Sequence, residues 1–191
     1  MTHRDTADRL LDAAEALLVE LGPDGFSLRE VARRTGVTPM AVYRHYDGLG
    51  ALRDALRERG SARLMEHFRD VLAAEDPRAR LEGSAREYVR FGVTHPQLFR
   101  LLFSGGPPPE EAHLRAEARR NAAAFRFMVD RVREAMDAGV LAPDDPEARA
   151  LDWWALFHGL VVLQQEGKLR LAPEAFAAHV ESTIRWLLPG R

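Results

Sequence analysis

The 191 residues contain no cysteine, which removes disulfides, thiolate metal sites and cysteine nucleophiles together. Lysine is almost as scarce: Lys168 stands alone among 27 basic residues. With the abundant alanine, this looks like a GC-rich coding bias rather than a functional choice. No apolar run reaches the roughly 18 residues of a membrane-spanning helix, and the polar start MTHRDTADRL lacks the apolar core of a secretory leader. A soluble cytoplasmic protein is therefore expected. Positive charge is also lacking, since the chain carries a formal net charge of -2. In residues 1–50 the acids Asp5, Asp8, Asp12, Glu15, Glu20, Asp24, Glu30 and Asp47 outnumber Arg4, Arg9, Arg29, Arg33, Arg34 and Arg44. Composition thus gives no basic footprint for nucleic acid, and any such role has to rest on where the charges point. Catalytic patterns are missing too. There is no His-Glu-x-x-His, no serine in a nucleophile turn and no glycine-rich loop after a strand. The remaining pairings, His158 with Asp152, His95 with Glu87 and His179 with Glu181, make no recognised site, so neither an enzyme nor a metal or cofactor is expected.

What is present is a compact signal in residues 27–46, SLREVARRTGVTPMAVYRHY. Ser27 with Glu30 three places on forms a capping box at the start of one helix, which should run to about Arg34. Gly36 permits a sharp turn, Thr38 can cap a second helix, and Pro39 falls at the first helical position, where its missing N–H costs nothing. Val31, Ala32, Gly36, Val37 and Val42 make the inner face of a helix-turn-helix. Thr38, Met40, Tyr43, Arg44 and His45 remain outside on the second helix, a mixture suited to a major groove lined by phosphates. His3 and Arg4 could face the same duplex, and helix N-termini supply further donors to phosphate.

The order GVTPMAVYRHY followed by a long helix resembles the tetracycline-repressor (TetR) family of one-component regulators. The match spans roughly residues 6–56 and includes the approach Gly25, Phe26 and Ser27. The resemblance implies that a dimer presents two recognition helices to successive major grooves of a pseudo-palindromic double-stranded operator. It places Arg29 as a base or phosphate contact, Thr38 and Met40 at base edges, and Tyr43 and His45 on phosphates. Ser27 combines capping with a phosphate contact, and Arg44 serves either role. One departure matters: the lysine that family members commonly carry at the start of the next helix is Leu49 here, and Gly50 replaces an acidic residue.

Elsewhere the chain reads as further helices, about nine in all. The spacing predicts them over residues 6–21, 51–74, 77–94, 96–103, 110–138, 151–163 and 173–188, with Asp47, Gly48, Leu49 and Gly50 as a loose junction and 104–109 as a loop. On the first helix Leu10, Ala14, Leu17, Leu18 and Leu21 share the apolar side. On 110–138 Leu114, Ala118, Ala122, Phe125, Val129, Val132 and Met136 do so, with Arg115, Arg119, Arg126, Arg131 and Arg133 as a solvated surface. Residues 151–163 are apolar nearly all round and so demand cover on all sides. Phe176, Val180, Ile184, Leu187 and Leu188 line the last helix, with Trp186 beside them. Two such helices meeting their symmetry mates, within about residues 144–188, would build a four-helix dimer interface.

The expected organisation is thus all-α, with an N-terminal three-helix DNA-binding domain in residues 1–50 and a larger regulatory and dimerisation domain in residues 51–191. Trp154, His158 and Gly159 resemble the Trp-His-Gly signature of one C-terminal subclass of the family, as does the segment 88–103. That resemblance implies a pocket for a small hydrophobic or aromatic effector that releases the operator. Phe91, Phe99, Leu102, Phe103, Phe125, Met128, Trp154 and Phe157 are its candidate apolar lining, and His95, His158 and Gln164 its polar groups. His158 is otherwise expected to be structural, donating to a backbone carbonyl. The competing reading is an all-helical ligand-binding or protein-interaction module without DNA affinity, favoured by the neutral N-terminal half and Leu49.

Overall fold

The computed structural model describes the backbone of residues 3–103 and 111–188 and the side chains of 6–103 and 123–188. Among them there are nine helices and no strand: α1 (His3–Leu21), α2 (Leu28–Thr35), α3 (Pro39–Tyr43), α4 (Gly48–Val71), α5 (Pro77–Thr94), α6 (Pro96–Phe103), α7 (Glu111–Asp137), α8 (Pro146–Gln165) and α9 (Pro173–Leu187). None is long and apolar enough to cross a membrane. The loop expected at 104–109, the side chains of His3 and Arg4, and those of Leu114, Arg115, Ala118, Arg119 and Ala122 lie outside the described residues. The chain folds as two compact units, Met1–Ala62 with His95–Pro108, and Arg63–Thr94 with Pro109–Arg191. This partition by contacts differs from a cut after residue 50, because α6 and the first half of α4 fold with the N-terminal helices.

In the first unit, α1 buries Leu10, Ala14, Leu17 and Leu18 at helical spacing. Leu21, expected on the same stripe, is 50% exposed because the helix ends there and the chain turns away at Gly22. Ser27 caps α2 by accepting the Glu30 N–H at 3.3 Å. The reciprocal half of the capping box does not form, since the Glu30 carboxylate faces the charged fork of Arg33 instead. Gly36 closes α2 with a left-handed φ of 71°, and Val37 N–H reaches back to the Ala32 carbonyl at 3.1 Å. Thr38 caps α3 through the Ala41 N–H at 3.2 Å, and Pro39 opens its first turn. Each cap is worth about 1 kcal/mol. Val42 beneath the helix is fully buried, whereas Val37 is only half-buried and Gly36 exposed.

Of the junction expected at residues 47–50, Asp47 stays in the connection, while Gly48, Leu49 and Gly50 are instead the first turn of α4. Leu52 and Leu56 are fully buried, and their anchorage draws Gly48 and Gly50 into the helix against a weak intrinsic preference. Gly60 permits the close approach of α6: a β-carbon there would lie 2.9 Å from Leu98. Arg57 donates to the Leu101 carbonyl at 3.1 Å from the same face.

In the second unit α7 packs on α5 and α8, α5 on α8, and α9 on α5. Leu81, Ala85, Phe91, Val132, Ala135, Trp153, Phe157 and Val161 are the centre of its core. Arg86 clamps α5 to α9 by gripping Glu181 at 2.7 and 2.9 Å, which holds the Glu181 carboxyl below its ordinary range. Arg131, expected on a solvated face with Arg126 and Arg133, is buried. Its guanidinium lies 4.7 Å over the Phe127 ring and bonds Glu134 at 2.6 and 2.9 Å, a flat cation stacked on an aromatic face. Arg126 and Arg133 are exposed as expected. Within the protomer α8 is covered on one side only. Ala150, Trp153, Phe157, Leu160 and Val161 are buried, while Leu151 and Leu163 remain 52% and 41% exposed.

Candidate functional site

The caps and the buried Val42 hold α3 as a short, rigid element whose other side is bare. Thr38, Met40, Tyr43 and Arg44 are exposed, Met40 to 71% and Tyr43 to 55%, and Ser27 and Arg29 are exposed at the start of α2. Arg44 and His45 sit in the turn after α3 rather than on it, because the helix closes at Tyr43. His45 is half-buried, its N–H bonded to the Val42 carbonyl at 2.9 Å. That turn is tied to α1 by the Tyr46 hydroxyl, which donates to the Ala7 carbonyl at 3.2 Å, a positioning contact that no spacing in the sequence announced.

Ion pairing resolves the charge paradox of this unit. Glu30 is neutralised by Arg33, Glu20 by Arg34, and Asp12 and Glu15 by Arg59, while Asp24 lies 3.6 Å from Arg53. The arginine partners hold the Glu20 and Glu30 carboxyls below the usual range. Arg29, exposed on α2, and Arg44, exposed in the turn after α3, have no carboxylate at ion-pair distance among the described residues.

A second candidate lies inside the other unit, among α4, α5, α7 and α8. Phe68, Tyr88, Phe125, Trp153, Trp154 and Phe157, with Ala85, Ala124 and Met128, enclose a cavity of about 20 Å³, room for about one water. The Trp154 indole N–H donates to the Tyr88 hydroxyl at 2.9 Å, and that hydroxyl meets His158 Nδ1 at 2.9 Å. Burial pushes the Tyr88 phenol well above its usual range and holds His158 below its own, so both are neutral at physiological pH. His158 thus pairs with a phenol rather than a backbone carbonyl through Nδ1. The phenol is the better partner because it can both donate and accept.

Of the residues expected in the pocket, Phe125, Met128, Trp154 and Phe157 line this cavity, with His158 behind Tyr88. The others are elsewhere. Phe91 is fully buried in the core of the same unit, its ring edge-on to His67 at 5.7 Å. Phe99, Leu102, Phe103 and His95 belong to the first unit, where Phe99 and Phe103 pair at 4.8 Å and Leu102 packs toward Gly60. Pro96 restarts the helix, which turns the apolar side of α6 onto α4. Gln164 lines an open groove of about 330 Å³ between α5 and α9, with Val89, Phe176 and Val180; its amide N–H donates to the Leu171 carbonyl at 2.8 Å. Tyr88, Phe68, Ala85, Ala124 and Trp153 were not foreseen as lining. Tyr88 had a usable signal, since a tyrosine inside an apolar stripe must find a hydrogen-bond partner.

A capped helix-turn-helix with an outward polar side, joined in one chain to a helical unit with an aromatic cavity, defines a helix-turn-helix transcriptional regulator. Comparison with known proteins carries this further. The family model described as bacterial regulatory proteins, tetR family, matches residues 10–56, and the tetracyclin repressor-like C-terminal domain matches residues 81–187. A solved structure of a protein of unknown function from Rhodococcus sp. RHA1 is 33% identical, covers 95% of this chain and 95% of that one, and superposes with a TM-score of 0.80. An uncharacterized HTH-type transcriptional regulator of Mycobacterium tuberculosis is 33% identical over 106 residues, 53% of this chain and 51% of its own length. The chain spans about half the length of the curated relatives it matches. AibR, solved with isovaleryl coenzyme A and operator DNA, shares the fold with a TM-score of 0.74 at 19% identity, over 97% of this chain and 99% of its own. The chain belongs to the TetR family, whose members among these relatives are transcriptional regulators and not enzymes.

Proposed function

We propose that the protein is a cytoplasmic repressor that binds a pseudo-palindromic operator as a homodimer and is released by a small hydrophobic effector. The observation that carries the DNA-binding half is the exposure of Arg29 and Arg44, without a carboxylate partner among the described residues, together with that of Thr38, Met40 and Tyr43. In this reading residues 1–50 are the DNA-binding domain and 51–191 the regulatory and dimerisation domain. Arg29 reads a base edge or a phosphate, Thr38 and Met40 meet base edges, Tyr43 and His45 hold phosphates, Ser27 adds a phosphate contact to its cap, and Arg44 serves either role.

The dimer forms through α8 and α9. Leu151, Ala155, Gly159 and Leu163 follow one another at every fourth position along the uncovered side of α8, and a β-carbon added at Gly159 would meet nothing within 4 Å. A glycine with open space above it, flanked by exposed leucines, suits the close crossing of a partner helix. Trp186 on α9, 76% exposed, adds a large apolar ring. The effector enters the aromatic cavity of the second unit; AibR, with its acyl-coenzyme A and operator, is the structural precedent for joining both ligands in one fold.

The alternative is a helical ligand-binding module that has lost its DNA affinity, which Leu49 in place of a phosphate-binding lysine favours. A mobility-shift assay with the DNA flanking the protein's own gene separates the two. A discrete complex that persists against excess unrelated DNA supports the regulator, and binding no tighter than to unrelated DNA supports the module. Sedimentation at micromolar concentration tests the dimer, and a monomer there would end that part of the reading.

A further inference from the structure

Among the described residues, none of the side chains lining the cavity between α5, α7 and α8 carries a charge. A ligand ion placed there would lose its hydration and gain no counter-ion from these residues, which disfavours charged ligands. The wall is nevertheless not featureless. Trp154 donates to the Tyr88 hydroxyl at 2.9 Å, and the hydroxyl meets His158 Nδ1 at 2.9 Å.

A neutral imidazole carries one proton on either ring nitrogen. With that proton on Nε2, Tyr88 donates to Nδ1. With it on Nδ1, the imidazole donates to the phenol oxygen, and the Tyr88 proton can turn to another acceptor. The chain of three groups can therefore answer a ligand's polar group as acceptor or as donor without separating charge.

Shape narrows the class further. At about 20 Å³ the cavity must enlarge to admit anything beyond a water. Phe125 and Trp154, with ring centroids 6.0 Å apart, are half-buried, whereas the other lining rings are buried. Trp154 is held by its bond to Tyr88, so turning Phe125 outward disturbs the least packing and opens a slot walled by rings, which a flat molecule fills best.

We propose that the cavity takes a neutral, planar ligand bearing one hydroxyl or comparable donor and acceptor group, a phenol-class molecule, and that the Tyr88 hydroxyl is its specificity determinant. This rests on the reading of the second unit as an effector domain. The test is calorimetric titration of the full-length protein at neutral pH with 2-naphthol, naphthalene and 2-naphthoate, which share a ring system and differ in the polar group. Wild type is expected to bind 2-naphthol about tenfold more tightly than naphthalene, the worth of one well-made hydrogen bond, and 2-naphthoate more weakly than either. Tyr88→Phe should bring 2-naphthol and naphthalene to within about twofold while leaving naphthalene affinity unchanged. If circular dichroism shows that variant unfolded, the wild-type order of the three ligands decides alone. Equal wild-type affinity for 2-naphthol and naphthalene, tighter binding of 2-naphthoate, or a naphthol preference that survives Tyr88→Phe overturns the phenol-class assignment and leaves a hydrophobic effector site standing. No binding of any of the three overturns both.

Discussion

The two ends of the chain place their polar groups in opposite ways. Around α3, Thr38 at its cap, Met40 and Tyr43 on it and Arg44 in the turn after it are exposed over a buried Val42, and Glu30, Glu20, Asp12 and Glu15 are matched by Arg33, Arg34 and Arg59. Around Tyr88 the polar atoms face one another inside a ring of aromatics, and no charge among the described residues lines the space. The first arrangement suits a large polyanion read at a distance through water and salt, and the second a small neutral molecule stripped of its water. The contrast also bears on the net charge of -2: Glu20 and Glu30 are already paired and contribute little field, so the exposed Arg29 and Arg44 act with less opposition.

The largest expected effect comes from undoing the symmetry that joins two such heads. Gly159→Arg puts a charge into open space in a lone protomer but into the crossing of the proposed dimer. Operator affinity should fall by a factor of about 10² to 10⁴, the usual value of linking two sites, and sedimentation should show a monomer with unchanged helix content. A dimer that persists with full operator affinity would remove α8 from the interface.

Next come the reading residues themselves. Arg29→Ala should cost about 1–3 kcal/mol of operator binding and alter base preference, whereas Tyr43→Ala should weaken all sequences alike. Binding-site selection with each variant distinguishes the two, and unchanged operator affinity in both would refute these contacts.

Restoring the missing cation sharpens the contrast from the other side. Leu49→Lys should raise DNA affinity at low salt and steepen the dependence of log K on log salt by about one unit, since each phosphate contact releases about one counterion. An unaltered slope would mean that the start of α4 lies away from the phosphates.

The smallest effect belongs to the interior. His158 is held neutral by burial, so its folded pKa lies below its unfolded value of about 6.5. Above that pH neither state binds the proton and the group is silent. As pH falls below it the unfolded chain takes up the proton first, which favours unfolding, and the penalty grows until the folded pKa is reached. The melting temperature should therefore drop more between pH 7 and pH 5 in wild type than in His158→Gln. Parallel curves would show that burial does not hold the imidazole neutral.

How much of this could be read from residues in a row depended on how far apart the cooperating groups lie. Ser27, Gly36, Thr38 and Pro39 act on backbone within a few positions, and each took up the role its chemistry suggests, apart from Glu30, whose carboxylate preferred Arg33. The breaks at Pro77 and Pro96 likewise mark the starts of α5 and α6. By contrast, Arg131 reads as surface although Phe127 and Glu134, its ring and its carboxylate, lie one turn away on either side, because the burial of that face comes from the rest of the second unit. The aromatic residues that seemed to form one pocket divided between two units once Pro96 had set the direction of α6. The role of the Tyr88 hydroxyl is not legible in the sequence because its partners lie 66 and 70 positions away on α8.

Hydrophobic spacing, caps and breakers determined that the chain is helical and that residues 27–46 make a helix-turn-helix, because these are short-range effects written into adjacent side chains and backbone geometry. How Glu20, Asp12 and Glu15 are silenced, which rings share a cavity and what the Tyr88 hydroxyl touches were decided only by tertiary packing. Burial and ion pairing act between groups distant along the chain, and their strength depends on a separation that no linear pattern records.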